Sequence, residues 1–266
     1  MAGRVYCVVP TYRPVGGVVK IFDYARHVAD MGREPVIVSA EPYREGSPLF
    51  EIGRFRSLTR GAGIEHLDDF GFGAEADDLV LFSWPPQYEV IAPRLAADVP
   101  HGRVIHLVQN TRHANPAFLD GYARRLLARP MTRISTNEVV ADAIGPFVHA
   151  GSIHAVVPIG HDVAYFETER IGGIDPHRPL RVAYTTWKSK LADRLASETA
   201  GWGDFVFRRI GHEASWPDLR ELYLWADVFI GTPLAEEGSY LPGLEAMASG
   251  AIVVMPDVGG NRTYAS

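Results

Sequence analysis

Short apolar runs alternate with stretches whose apolar residues recur at helical spacing, and this alternation limits the fold more than any other feature of the sequence. Arg4-Val5-Tyr6-Cys7-Val8-Val9 is rich in β-branched residues and ends at the breaker-rich stretch from Pro10 to Gly17. Val18, Ile21, Phe22, Ala25, Val28 and Ala29 then repeat at the period of an α-helix, which Gly32 closes. Residues 35–39 form a second apolar run. Strand, helix, strand in this order opens a parallel sheet. The pattern returns with expected strands at 79–83, 104–108, 133–135 and 154–157, and helices at 88–97, 116–128 and 138–148. Residues 40–78 are glycine-rich and irregular, and are expected to be loops. Apolar strands alternating with amphipathic helices specify a doubly wound sheet with helices on both faces.

The stretch 167–179 breaks the alternation. Gly172, Gly173, Pro176 and Pro179 sit among charges without an apolar period, as in a linker. A second alternation follows, with strands at 180–185, 205–210, 228–230 and 251–255 and helices at 191–198, 219–226 and 242–249. The reading is therefore an α/β protein of two Rossmann-like, doubly wound parallel-sheet domains, 1–166 and 180–266, facing a cleft of the kind that ligands favour. A chain of 266 residues, 47% hydrophobic, has the apolar surface for two such cores, and disorder is excluded. The net charge of -6 argues against a nucleic-acid partner. Cys7 is the only cysteine, which excludes a disulfide framework and a cysteine-rich zinc site, and its apolar neighbours predict a packed thiol. No run approaches the roughly 18 apolar residues of a membrane span, and no signal peptide is legible at the N-terminus, so a cytoplasmic location is expected.

The densest chemical signal follows the strand Asp227-Val228-Phe229-Ile230. Residues 236–250 read Glu-Glu-Gly-Ser-Tyr-Leu-Pro-Gly-Leu-Glu-Ala-Met-Ala-Ser-Gly. A glycine in the loop lets backbone amides approach a ligand closely, Pro242 suits a first helical turn, and the unpaired amides of that turn attract anionic groups. Glu237 lies in the loop and Glu245 one turn into the helix, so that both can face one pocket. A carboxylate accepts bidentately from vicinal hydroxyls, as on a sugar or ribose. A helix start with ordinary capping acids has the same spacing.

The Glu-x7-Glu spacing of Glu237 and Glu245, its interior from Gly238 to Glu245 and the following Ala-Met-Ala-x-Gly resemble the retaining GT-B glycosyltransferases, in particular glycosyltransferase family 4. Gly16-Gly17 before the first helix is similar to that family's N-terminal glycine loop. The segment from Val157 to Phe166 resembles its interdomain segment, with Ile159 in place of the usual Asn and His161 in place of a hydrophobic residue. The resemblance implies that Glu245 holds the donor ribose and that Glu237 lies by the donor sugar and diphosphate. It also implies that the amides of Gly238, Ser239, Tyr240 and Leu241, with Gly16, Gly17, Gly259 and Gly260, line the donor site. The family's usual Gly-Arg pair is absent here, and Lys188 or Lys190 is expected to replace it, with Arg208 or Arg209 sharing the role. Glu237 and His113 are the catalytic candidates, and Tyr12, Arg13, Trp84 and Asn110, after strands of the first domain, the acceptor-binding ones.

These expectations define a hexosyltransferase-type glycosyltransferase. It moves a sugar from a nucleotide diphosphate-sugar to a glycan, lipid-linked or small-molecule acceptor, with retention and with no metal or cofactor. No Asp-x-Asp ends a strand, and Gly-x-Ser-x-Gly, the P-loop and Gly-x-Gly-x-x-Gly are all absent. Two rivals stay open: a GT-B-type nucleotide-sugar epimerase, and a non-catalytic nucleotide-sugar or glycan-binding protein. Arg124, Arg125, Arg129 and Arg133 offer a peripheral contact with anionic lipid at the inner face of the membrane, against the simpler reading of a solvated helix face. The sequence after Gly259-Gly260 is shorter than in the family, so the second domain is expected to be shortened and to self-associate through an exposed sheet edge.

Overall fold

A computed structural model describes residues 3–168, 174–186, 188–211 and 214–265. The chain divides into two compact units, Met1–Ile159 and Gly160–Ser266. Residues 169–173 of the expected linker lie outside the described residues.

The first unit is a parallel sheet of seven strands, β1 (Val5–Val9), β2 (Pro35–Ser39), β3 (Glu65–Leu67), β4 (Leu79–Phe82), β5 (Val104–Val108), β6 (Thr132–Ser135) and β7 (His154–Val156), in the order β3-β2-β1-β4-β5-β6-β7. The register sets Val5 beside both Pro35 and Leu79. Central strands of such a sheet are covered on both faces, which is why β1 is apolar throughout and wholly buried. Burial pushes the Cys7 thiol up to about 12, so it packs as a small hydrophobe as expected. Helix α1 (Gly16–Asp30) buries Val18, Val19, Ile21, Phe22 and Ala25. Over the same helix lie two short 3-10 turns, Pro48–Glu51 and Gly53–Leu58, whose Phe50 and Phe55 rings stand 5.9 and 5.5 Å from Phe22, and a third, Arg60–Ala62, follows them. The stretch expected to be loops therefore carries an edge strand and a hydrophobic cover.

Three helices are shorter than their periodicity suggested. Helix α2 (Gln87–Ile91) passes into a 3-10 turn holding Pro93, and α4 (Glu138–Ile144) into one holding Pro146. Proline lacks the amide a continuing helix needs and crowds the preceding turn. Helix α3 (Tyr122–Leu127) starts late because Leu119, Asp120 and Gly121 take φ of 52, 51 and 74°. Its last carbonyls are closed by the buried Arg133, whose Nη2 donates to Leu126 O at 2.7 Å and Leu127 O at 3.4 Å, and also to Arg129 O just past the helix at 3.1 Å. Arg124 lies over Phe147, Arg129 over Tyr88, and Arg125 donates to Asp120 O, so all four arginines of this stretch make contacts within the unit.

The second unit has four parallel strands, β8 (Leu180–Thr185), β9 (Phe205–Ile210), β10 (Val228–Ile230) and β11 (Ile252–Val254), ordered β11-β10-β8-β9. Helices α5 (Leu191–Glu198), α6 (Trp216–Trp225) and α7 (Leu241–Ala248) connect them. Ile252 and Val254 on the outer strand β11 are 55% and 56% exposed. Just before β10 the buried Asp227 binds Arg178 bidentately, at 2.6 and 2.9 Å, and accepts from the Arg181 amide at 3.0 Å. The Arg178 fork, with the Arg181 bonds, holds this carboxyl far below the usual carboxylate range.

Two parallel-sheet α/β units, the second smaller, are what the alternation predicted. Strand order reverses between β1 and β4 in the first unit and between β8 and β10 in the second. In open sheets of this kind ligands bind outside the carboxyl ends of the strands that flank the reversal.

Candidate functional site

The reversal in the second unit gathers the loops after β8 and β10. Gly231 follows β10, and a Cβ there would stand 2.9 Å from the Tyr240 ring and 3.1 Å from Met255 Cβ, so glycine allows the ring to close over the strand end. Tyr240 is buried just ahead of α7. Its hydroxyl accepts the Thr232 amide at 3.4 Å and lies 3.3 Å from Thr185 Oγ1, tying the ends of β8 and β10 together. Pro242 occupies the first turn of α7, as its fixed φ favours.

Glu237 projects from this loop and meets Lys188, whose Nζ lies 2.7 Å from its Oε1. Glu245, on α7, is 5% exposed. His161 Nε2 lies 2.8 Å from its Oε1, and the buried Tyr223 hydroxyl donates to Oε2 at 3.1 Å. Burial, reinforced by the charges of Glu245 and Glu237, pushes the Tyr264 phenol up. Tyr264 in turn donates to Tyr240 O at 2.6 Å.

The cations that the sequence grouped together separate here. Lys188 faces Glu237, whereas Lys190 and Arg209 lie 3.6 and 3.7 Å from Asp193 on α5, where both are well exposed. Arg208 lies 3.4 Å from Glu221 and, with Arg209, Ile210 and Asp218, lines a cavity of about 290 Å³ between the end of β9 and the start of α6. Gly259 and Gly260 open a 3-10 turn (Gly259–Thr263) packed directly on the Glu237 loop. A Cβ on Gly260 would collide with Gly238 O. Gly260→Ala must push that loop away, and a cost of about 1–3 kcal/mol is expected from overpacking. Urea unfolding and amide exchange at 236–241 would check this, and unaltered exchange there would refute the contact's importance.

In the first unit, Gly16 and Gly17 open α1 beside the strand reversal. Gln109 Nε2 donates to Gly17 O at 3.3 Å, and the open side of Gly17 faces Ser83 Oγ, so the loops after β1, β4 and β5 converge. Arg13 is exposed, and Trp84 and Asn110 are half-buried. Tyr12 turns inward instead: its hydroxyl lies 2.9 Å from His66 Nδ1. His66 Nε2 lies 2.7 Å from Leu58 O, an acceptor only, so Nε2 carries the proton and Nδ1 accepts from Tyr12. His113 is buried between the His106 and Phe118 rings, with centroids at 5.3 and 5.7 Å. Burial, and the nearby Arg112 and Arg133 charges, bring its pKa down to about 3.

Sequence reasoning passed over His161 and Tyr223 as partners of Glu245 and Gln109 as a partner of Gly17. Only His161 left a trace, as a polar residue where an apolar one was expected. Among the described residues no three His, Cys, Asp or Glu side chains converge as a metal site, and no helix is long and apolar enough to cross a membrane.

No family model matches the chain, and no curated protein matches it. Solved structures do. Anabaena Alr3699/HepE in complex with UDP and glucose is similar at a TM-score of 0.68 and 14% identity, over 99% of this chain and 83% of that one. A glycosyltransferase from Rickettsia africae ESF-5 gives 0.63 and 14%, over 99% of this chain and 82% of that one. The sucrose-phosphate synthase (tll1590) of Thermosynechococcus elongatus gives 0.59 and 13%, over 98% of this chain and 83% of that one. The fold is that of the GT-B glycosyltransferases.

Proposed function

We propose that this chain is a glycosyltransferase that moves a sugar from a nucleotide diphosphate-sugar to an acceptor. The observation that carries the reading is the placement of Glu237, Lys188 and Glu245 around the loop and helix that follow β10, at the strand reversal of a GT-B-type sheet. Structures with this fold include one in complex with UDP and glucose.

In this reading Glu245 accepts from the ribose hydroxyls, and Glu237 lies against the donor sugar. Lys188, with the amides of Gly238 to Leu241 at the start of α7, stabilises charge on the departing diphosphate. Fixed donors aimed at developing charge supply much of the rate in such reactions. Gly259 and Gly260 hold the Glu237 loop in place. Arg13, Trp84 and Asn110 offer acceptor contacts, and the Tyr12 phenol, bound to His66, offers none. Membership of family 4, retention and independence of metal are parts of the same proposal.

The test is a thermal-shift series with UDP, GDP, ADP and TDP and their common sugars. A ligand of the native state at one hundred times its Kd stabilises by about 2.7 kcal/mol. One nucleotide should raise the melting temperature clearly. Glu245→Gln should weaken that nucleotide about 10- to 100-fold, the loss of one charge-assisted bond. No shift with any nucleotide would defeat the reading.

A further inference from the structure

We propose that His161 is a positioning residue for Glu245, and that the pair, rather than the carboxylate alone, selects a ribose over a deoxyribose. The inference rests on reading Glu245 as the ribose acceptor. A vicinal diol needs two acceptor sites held in one plane. Each carboxylate oxygen has two lone pairs. His161 takes a position on Oε1 at 2.8 Å and Tyr223 one on Oε2 at 3.1 Å. That leaves each oxygen an acceptor site and fixes the plane of both.

The His161 ring is itself held. It is near-parallel to Phe166, at 6.0 Å and 16°, and tilted against Trp216 at 5.7 Å. The segment that carries it is fastened to α6 and to the end of α7. Ser249 Oγ, just past α7, donates to Phe166 O at 3.0 Å, and Arg220 Nε on α6 donates to Tyr165 O at 2.7 Å. An apolar side chain at 161 would satisfy this aromatic wall. A buried imidazole there costs free energy unless it is hydrogen-bonded. The wall does not require the polar group, and the Glu245 carboxylate lies within hydrogen-bond reach of it.

Binding of UDP, GDP and ADP, each beside its 2′-deoxy counterpart, to the whole chain by calorimetry tests this. The wild type should prefer one ribonucleotide to its deoxy form by about tenfold, one hydrogen bond to a charged group. His161→Leu should reduce that ratio to below about threefold, while affinity for the deoxy form changes less than about twofold. His161→Gln, whose amide reaches toward the same oxygen, should restore it. His161→Met carries the same expectation as leucine should leucine unfold the unit. Equal weakening of both nucleotides by His161→Leu would mean a packing role only and would overturn the proposal. A ratio lost in Glu245→Gln but kept in His161→Leu would overturn it and leave the ribose reading standing. A wild type without preference, unaffected by Glu245→Gln, would overturn both.

Discussion

Asp227→Ala is expected to cost the second unit roughly 2–4 kcal/mol, more than most single substitutions. The carboxylate has no exposed side-chain surface, and it satisfies the Arg178 fork and the Arg181 amide at once. Alanine leaves the part-buried Arg181 amide without its acceptor and two guanidinium groups without their counter-charge. Removing one partner of such a set costs more than the set contributes. Asn keeps one acceptor oxygen and should cost less. Amide exchange should quicken in β8 and β10 and stay unchanged in β1 and β4. Undiminished protection at 180–185 and 228–230 would show that the carboxylate is replaceable. The Asp227 pKa is lower in the folded chain than its ordinary 3.8, so this contribution is present above that value and disappears only as pH falls below it.

Mild acid should loosen the first unit before it reaches that contact. Burial lowers His66 to about 4, His113 to about 3 and His106 well below its usual 6.5, and all three lie in the first unit. The unfolded chain takes up protons near 6.5 that the folded chain refuses until the pH is much lower. The stability these groups contribute is therefore complete above 6.5 and is lost as pH falls toward 4. Each such group contributes about 1.4 kcal/mol per pH unit in that window. His66 and His113 together should give a slope on the order of 2–3 kcal/mol per pH unit. Urea unfolding at pH 7, 6 and 5, read by peptide-resolved amide exchange, measures it. Constant protection in β1 and β4 from pH 7 to 5 would show that these rings are not neutral in the fold.

The strands were legible because a parallel sheet covered on both faces needs apolar runs, and the helix α5 because its apolar period is undisturbed. Pro93 and Pro146 stood in the sequence as signs that two helices end early. The left-handed turn at Leu119 and Asp120 left no such sign, since leucine disfavours positive φ and a single aspartate, although it tolerates it, does not mark a turn by itself. Nor did β3, whose three residues Glu65–Leu67 are too few to show a period. At the candidate site, Glu237, Pro242 and Glu245 could be placed on a loop and a helix because their spacing is local. Their partners are distant: His161 and Glu245 are 84 residues apart in the chain. Lys188 and Lys190 were equivalent in the sequence, yet two positions of backbone turn one to Glu237 and the other to Asp193.

Cys7 gives the molecule an internal clock. The only thiol of the chain lies at the centre of β1, wholly enclosed, and its proton is held to about pH 12. A thiol reagent can reach it only when the first unit opens, so labelling reports the frequency of that opening. The second unit has no cysteine, and its breathing leaves no mark on the record. One unmodified chain thus reports the opening of its first half alone.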